Sequence, residues 1–252
     1  MHAVSIAAGI VLAGLLAWGA ANSGRQYRML EEAIAGGDRG ARLAFYRDAV
    51  VFEWLSALLG LAGLGFRRAN LTAAALQFGR TAFGRWAGNA ISGASGNFAA
   101  GLAAGIAIGI AVQFLAKRRR RTRSGNRPGA PRRKWLPEFA VLIPRTRAER
   151  WMFPAVALSA GICEEIVLRA WLLFALYHTA GLRGGWLALT ASVLFGAAHA
   201  YQGWPGMIVT GLLGMLLCIL YVGTGTLLAP MAAHFLIDLR VVFLPPSEAS
   251  RS

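Results

Sequence analysis

The sequence predicts an all-α protein, a polytopic bundle of about seven to eight transmembrane helices. The chain has 252 residues, of which 56% are hydrophobic and only 15% are charged. Its mean hydropathy is +0.51, and apolar runs long enough to cross about 30 Å of hydrocarbon as a helix recur along it. A soluble helical protein would carry more charge between shorter apolar faces, so the composition favours a membrane protein.

The N-terminal region, residues 1–116, is predicted to contain about three of these spans. The first covers Val4–Ala21, and because no Lys or Arg precedes its apolar run, we expect a retained anchor helix rather than a cleaved signal peptide. The mixed-charge residues Asn22–Asp48 are predicted to form a loop with a short surface helix. A second span follows at Ala49–Phe66.

Two further segments complete the N-terminal region. In residues 67–97, arginines alternate with Leu, Phe and Trp, which indicates either a helix lying in the membrane interface or an additional span. Phe98–Ala116 is predicted to be the third span, because it is predominantly apolar and carries no charged residue.

The formal net charge of +15 is concentrated in a linker, residues 117–143, between the two membrane regions. Ten Lys and Arg residues and no acidic residue lie between Lys117 and Lys134. Basic residues beside apolar spans are retained on the cytoplasmic side of a membrane, and no aromatic-interleaved basic fold accompanies them. The linker is therefore predicted to be cytoplasmic, and nucleic acid is not expected as a partner.

The C-terminal region, residues 144–246, is followed by a short tail, residues 247–252. Helices are predicted at Phe153–Thr179, Trp186–Ala200, Met207–Val222 and Thr226–Leu244. Glycines interrupt the apolar pattern between these helices, and Gly203–Gly206 is predicted to be a turn. We expect this region to hold every acidic side chain that lies inside the membrane.

The first of these helices carries two acids and a base in an apolar setting, where each charge costs roughly 2.5–3.5 kcal/mol on insertion scales. Glu165 and Arg169 stand at positions i and i+4, so they share a helix face and can form an ion pair. Pairing would offset much of the cost of burying both charges. Glu164 points about 100° away and is predicted to stay free for another task.

Two histidines and one more acid lie further along the chain. No Asp, Glu, Lys or Arg occurs between Gly184 and Ile237, yet His199 and His234 lie within this stretch. Asp238 follows His234 by one helical turn, so both side chains can face a common cavity. A dehydrated Glu can act as a general base, one His can help to activate water, and a second can stabilise an oxyanion. The residues therefore predict a hydrolytic site inside the membrane without fixing its substrate.

Three motifs on three apolar helices resemble those of a known family. Glu164–Arg169 resembles the EExxxR motif of the CPBP intramembrane proteases, which include CAAX prenyl endopeptidases and bacteriocin-processing or self-immunity (Abi) proteins. Phe195–His199 resembles the FxxxH motif of that family, and His234–Asp238 resembles its HxxxN/D motif. The resemblance covers about Pro144–Leu244.

The resemblance implies a role for each motif residue: activation of water by Glu164 and His199, stabilisation of the oxyanion by His234 and Asp238, and support of the site by Glu165 and Arg169. The CAAX endopeptidases have Asn where this chain has Asp238. Because an ionised Asp cannot donate a hydrogen bond, Asp238 is expected either to be protonated or to act by orienting His234.

The resemblance also implies an intramembrane endopeptidase whose substrate is a peptide or a membrane-protein segment. High Ala, Gly and Arg content indicates a GC-rich bacterium, so we expect a multi-pass protein of the cytoplasmic membrane and no prenylated CAAX substrate. Processing of a secreted peptide, a bacteriocin or a C-terminal sorting tail stays open. The alternative from another class is a non-catalytic immunity, scaffold or transport protein that uses the same buried polar residues.

No cofactor is predicted. Cys163 and Cys218 lack a CxxC partner, which argues against a zinc finger and a disulfide framework. Two His and a Glu could bind zinc, but the HExxH spacing is absent, and the resemblance implies a metal-independent mechanism. The expected partners are the peptide substrate and the lipid bilayer, while the sequence leaves the oligomeric state open.

Overall fold

The computed structural model describes residues 2–65 and 141–243, together with the single residues 85 and 89. Every regular element within these ranges is a helix, which confirms the predicted all-α class. Three helical stretches in the same ranges are long and apolar enough to cross a membrane, namely Val4–Ala35, Arg147–Thr179 and Ala200–Thr224. A shorter apolar helix covers Gly184–Ala198.

Several predictions fall on residues outside these ranges. They are the third span at Phe98–Ala116, nearly all of the segment 67–97, and the basic part of the linker 117–143. The count of seven to eight spans and the division of the chain into regions therefore stay predictions.

The N-terminal region forms a helical hairpin. Helix α1 spans His2–Ala35, helix α2 spans Ala41–Gly63, and the two helices pack against each other. In the short connection, the Asp38 carboxylate accepts hydrogen bonds from the backbone N–H groups of Gly40 (2.8 Å) and Ala41 (3.2 Å). These bonds satisfy donors that the start of a helix leaves unpaired, and so they favour the beginning of α2 there.

The predicted loop at Asn22–Asp48 is wrong. Helix α1 continues to Ala35 because residues 25–35 are rich in strong helix formers, and because Tyr27 is buried against the rest of the protein. The ring centroids of Tyr27 and Tyr201 lie 5.5 Å apart. A contact with a residue far along the chain thus extends a helix whose local sequence looks like a surface loop.

Helix α3 spans Arg147–Glu165 and begins at a capping box. The Thr146 side chain accepts the N–H of Glu149 at 3.2 Å, and the Glu149 carboxylate accepts the N–H of Thr146 at 3.0 Å. The same carboxylate pairs with Arg42 of α2, whose Nη1 lies 3.0 Å from both of its oxygens. Because both partners are buried, the pair fixes the start of α3 against α2.

The long stretch that begins with α3 is not α-helical throughout. At Glu165 it passes into a π-helical turn, Ile166–Leu172, and helix α4 completes it at Leu173–Thr179. The predicted helix Phe153–Thr179 thus ends correctly, but the spacing of apolar residues did not reveal the π-helical turn. Wider turns of this kind are frequent at functional sites, and this one contains Arg169.

Helix α5, Gly184–Ala198, packs against helix α6, Gly203–Thr224. A Cβ atom on Gly196 would lie 2.6 Å from the carbonyl oxygen of Met207, so the two backbones approach as closely as they do because position 196 has no side chain. A single 3-10 turn, Ala200–Gln202, joins the two helices.

The turn predicted at Gly203–Gly206 is wrong, because these residues form the first turn of α6. Pro205 is tolerated there, since the first N–H groups of a helix have no partner within the helix and a missing one costs little.

Helix α7 spans Leu228–Leu239 and continues as a 3-10 turn, Arg240–Phe243. It is shorter than the predicted Thr226–Leu244 because its end tightens into 3-10 geometry, and its 12 residues extend only about 18 Å. A Cβ atom on Gly161 of α3 would lie 2.9 Å from the backbone nitrogen of Phe235. The backbones of α3 and α7 are therefore in contact next to the motif residues of both helices.

Candidate active site

The six predicted site residues come from four places in the C-terminal region. Two stand at the end of α3, one in the π-helical turn, one directly after α5 and two on α7: Glu164 and Glu165, Arg169, His199, and His234 and Asp238. The contact between the backbones of α3 and α7 brings the first and last of these groups together.

Glu165 is the centre of the buried part of the site. Its side chain is fully buried, and its Oε1 accepts hydrogen bonds from Arg169 Nη1 at 3.0 Å and from His234 Nδ1 at 2.8 Å. Arg169 also donates from Nη2 to the carbonyl oxygen of Gly214 at 3.0 Å. The pair predicted from the spacing of Glu165 and Arg169 is present, and it links α3 to both α6 and α7.

His234 lies between buried and accessible acids. Because Nδ1 donates to Glu165, Nε2 points to the other side, 3.8 Å from Glu164 Oε2 and 3.5 Å from Asp238 Oδ2. The His234 side chain is 5% exposed, whereas those of Glu164 and Asp238 are 27% and 37% exposed. Two carboxylates therefore stand at the mouth of the site, and the imidazole lies beneath them.

A hydrogen bond to the last turn of α5 orients the His199 side chain. Its Nδ1 lies 2.9 Å from the carbonyl oxygen of Phe195, and since a carbonyl can only accept, Nδ1 is the donor of this bond and Nε2 is not used by it. Its ring centroid lies 4.7 Å from that of Phe195 and 5.8 Å from that of Tyr201. His199 also lies within electrostatic range of Asp238.

Phe195 connects the two histidines. Its ring contacts His199 on one side and His234 on another, where the centroids are 6.1 Å apart. The Arg169 guanidinium stands 5.1 Å from the centre of the same ring. The phenylalanine of the FxxxH motif thus packs against three polar groups of the site.

Sequence reasoning missed one acid at this site, Glu53 of α2. It lies within electrostatic range of Glu164 and Asp238, and also of His234. The site is therefore not built from the C-terminal region alone, while the expectation that this region holds every acid inside the membrane stays a prediction. The available signal was a single Glu within the predicted span Ala49–Phe66, because a charged residue inside an apolar span indicates a functional position.

Among the described residues, no group of three or more His, Cys, Asp or Glu side chains is arranged so that it could hold a metal ion. Cys163 and Cys218 are both buried free thiols. Metal independence stays a prediction that chelation can test.

A family model described as type II CAAX prenyl endopeptidase Rce1-like matches residues 146–240. The match contains all three motifs and all six of the predicted site residues. The match of residues 146–240 is consistent with membership of the CPBP family. This confirms the resemblance expected from the motifs, and Glu53 lies outside the matched residues. Neither the comparison with curated proteins nor the comparison with solved structures gives a match.

Proposed function

We propose that this protein is an intramembrane endopeptidase that hydrolyses a peptide bond in a membrane-associated or secreted peptide or protein. The observation that carries the proposal is the position of His234 Nε2 between Glu164 and Asp238, at the accessible mouth of a buried charged cluster. The match of this same region to an endopeptidase family supports it.

The reaction begins with activation of water. Glu164 has an oxygen without a hydrogen-bond partner among the described residues, so it is available to accept a proton from water. His199 offers its free Nε2 to the same task. As the water oxygen bonds to the carbonyl carbon of the substrate, the water proton passes to this pair, and the carbonyl oxygen becomes an oxyanion.

His234 stabilises that oxyanion. With both ring nitrogens protonated, it donates from Nδ1 to Glu165 and from Nε2 to the oxyanion, in a site from which most water is excluded. The tetrahedral intermediate then collapses, the C–N bond breaks, and the nitrogen of the leaving amine takes a proton. Glu165 and Arg169 do not touch the substrate in this scheme; they fix the tautomer and the orientation of His234.

The substrate is expected to reach the site from the membrane. The candidate spans and the shorter apolar helix expose many large apolar side chains, including Trp186, Trp204 and Leu212, as a protein embedded in lipid does. We propose a multi-pass protein of the cytoplasmic membrane whose substrate is a secreted peptide, a bacteriocin or a C-terminal sorting tail.

The test is a comparison of peptide termini in cells that carry the wild type or Glu164→Ala. We expect a set of new termini with the wild type only, and the same loss with His199→Gln. His178→Gln is the matched control, since His178 packs against Phe174 and Tyr177 away from the motifs.

Cleavage that persists in a stably folded Glu164→Ala protein would overturn the proposed mechanism. If the wild type produces no new termini, but cells still need Glu164 for resistance to a peptide or for transport, the non-catalytic alternative is correct instead.

A further inference from the structure

Glu53 has an unusual position for an acid of an apolar helix hairpin. Its Oε2 atom is buried and has no hydrogen-bond partner among the described residues. The titratable groups within electrostatic range of it come from two neighbouring helices and the 3-10 turn that precedes α6: Cys163 and Glu164, His234 and Asp238, and Tyr201. No Lys or Arg is among these groups.

The packing of α2 on α3 places Glu53 there. The neighbouring Trp54 donates from its indole Nε1 to the Ser159 hydroxyl at 3.0 Å, one helical turn before Cys163 and Glu164. At the start of both helices, the buried Arg42–Glu149 pair fixes α2 to α3 a second time. Because two contacts hold α2 in register, Glu53 is directed to the site by the fold and not by a flexible loop.

The charges at the site do not balance if every acid is ionised. Glu165 is matched by Arg169, and Glu164 and Asp238 both lie beside the imidazole of His234. Asp238 also lies within electrostatic range of His199 and Arg240. Glu53 lies within electrostatic range of two acids, Glu164 and Asp238, and of one imidazole, His234, and it makes no ion pair within the described ranges. In a medium of low dielectric, like charges this close cannot all persist, so one acid must hold a proton. Among these four acids, Glu53 is the one that makes no ion pair within the described ranges.

We propose, on the basis of the proposed peptidase function, that Glu53 is a proton-relay residue of the site. It is neutral while the site is empty. After Glu164 has taken a proton from water, Glu53 gives its own proton to the nitrogen of the leaving amine as the C–N bond breaks. The proton on Glu164 then passes to the Glu53 carboxylate, so both acids return to their starting states and no proton is gained or lost.

The first test compares Glu53→Gln and Glu53→Asp with the wild type in reconstituted membranes, using a substrate identified from the peptide termini. Gln keeps the size and neutrality of the protonated acid but cannot release a proton. We expect kcat to fall by about 10²-fold or more with KM nearly unchanged, and Asp to restore part of the rate. Asp48→Asn is the matched control, because it removes another acid from the same helix. The side chain of Asp48 is 69% exposed, so it lies outside the site.

The pH profile separates a relay from a structural role. If neutral Glu53 supplies the proton, wild-type kcat falls at high pH as Glu53 ionises, and the Gln variant lacks this fall. Equal kcat and an equal pH profile in the wild type and Glu53→Gln would overturn the relay. If Glu164→Ala is inactive in the same assay, the proposed peptidase function survives that result.

A second test does not depend on cleavage. The infrared spectrum of the wild type at neutral pH should contain the carbonyl band of a protonated carboxylic acid that is absent from Glu53→Gln and retained in Asp48→Asn. A difference spectrum without this band means that Glu53 is ionised, and it overturns the inference. If the band is present but the wild type cleaves no peptide, the proposed function and the relay step both fail.

Discussion

Glu164 and Glu165 are neighbours in the chain, yet the fold gives them different surroundings. Glu165 is fully buried, and its Oε1 accepts hydrogen bonds from a guanidinium and an imidazole, whereas Glu164 is 27% exposed and makes no hydrogen bond through its Oε2. The helical spacing could predict the contact with Arg169. It could not predict the contact with His234, which is 69 positions away in the sequence.

Replacing Arg169 by Met should reduce the free energy of unfolding by about 3–5 kcal/mol, because it leaves a buried carboxylate without its guanidinium partner. The measurement is chemical unfolding in detergent micelles. Arg47→Met is the control: Arg47 pairs with Asp48 where both side chains are 69% exposed, so it should cost at most about 1 kcal/mol. Equal losses in the two variants would contradict the prediction.

Replacing Asp238 by Asn should preserve substantial cleavage. Asp238 Oδ2 lies 3.5 Å from His234 Nε2, where an amide oxygen can still accept from the imidazole and orient it. Asp238→Leu, which has no such oxygen, should lose most of its kcat. Complete loss of activity in a well-folded Asp238→Asn protein would show that the negative charge itself is required.

Three features of the helices position these side chains. The π-helical turn Ile166–Leu172 carries Arg169, the short α7 carries both His234 and Asp238, and glycine at 161 lets α3 and α7 touch. Only the glycine is a local signal that sequence reasoning could have used. The change from α to π geometry and the early end of α7 depend on packing, so the apolar pattern shows neither of them.

Replacing Gly161 by Ala should move α7 away from α3. The added Cβ atom would lie 2.9 Å from the backbone nitrogen of Phe235 and 3.1 Å from the carbonyl oxygen of Met231, and backbone atoms cannot yield as a flexible side chain does. We expect a stability loss of about 1–3 kcal/mol, measured by unfolding, and loss of cleavage as His234 leaves Glu165.

The control for this change is Gly14→Ala in α1, where the added Cβ atom meets nothing within 4 Å. That variant should keep its activity and be as stable as the wild type or more so, because alanine favours a helix more than glycine does. A Gly161→Ala protein that behaves like Gly14→Ala would show that the α3–α7 contact does not set the site geometry.

At the scale of the whole protein, side-chain contacts join the two described regions, although residues 66–140 separate them in the sequence. Arg42 pairs with Glu149, the Arg42 Nε also donates to the carbonyl oxygen of Val141 at 2.7 Å, and Trp54 bonds to Ser159. These contacts make the N-terminal hairpin part of the site, because they bring Glu53 to the motif residues.

The chemistry of the whole protein is predicted to need no metal ion. Cleavage by the purified protein should therefore survive exhaustive chelation, measured with the same substrate before and after treatment. Activity that disappears with the chelator and returns when zinc is added would support the zinc alternative and contradict a mechanism based only on Glu and His.

The sequence by itself determined the all-α class, the three motifs and the Glu165–Arg169 pair. These follow from composition and from the period of the helix, which act over a few neighbouring residues. Only the tertiary structure decided that α1 continues past its first apolar run, that His234 bonds to Glu165, and that Glu53 faces the site. Each of these depends on contacts between side chains far apart in the chain, and no local pattern encodes which distant surfaces will meet.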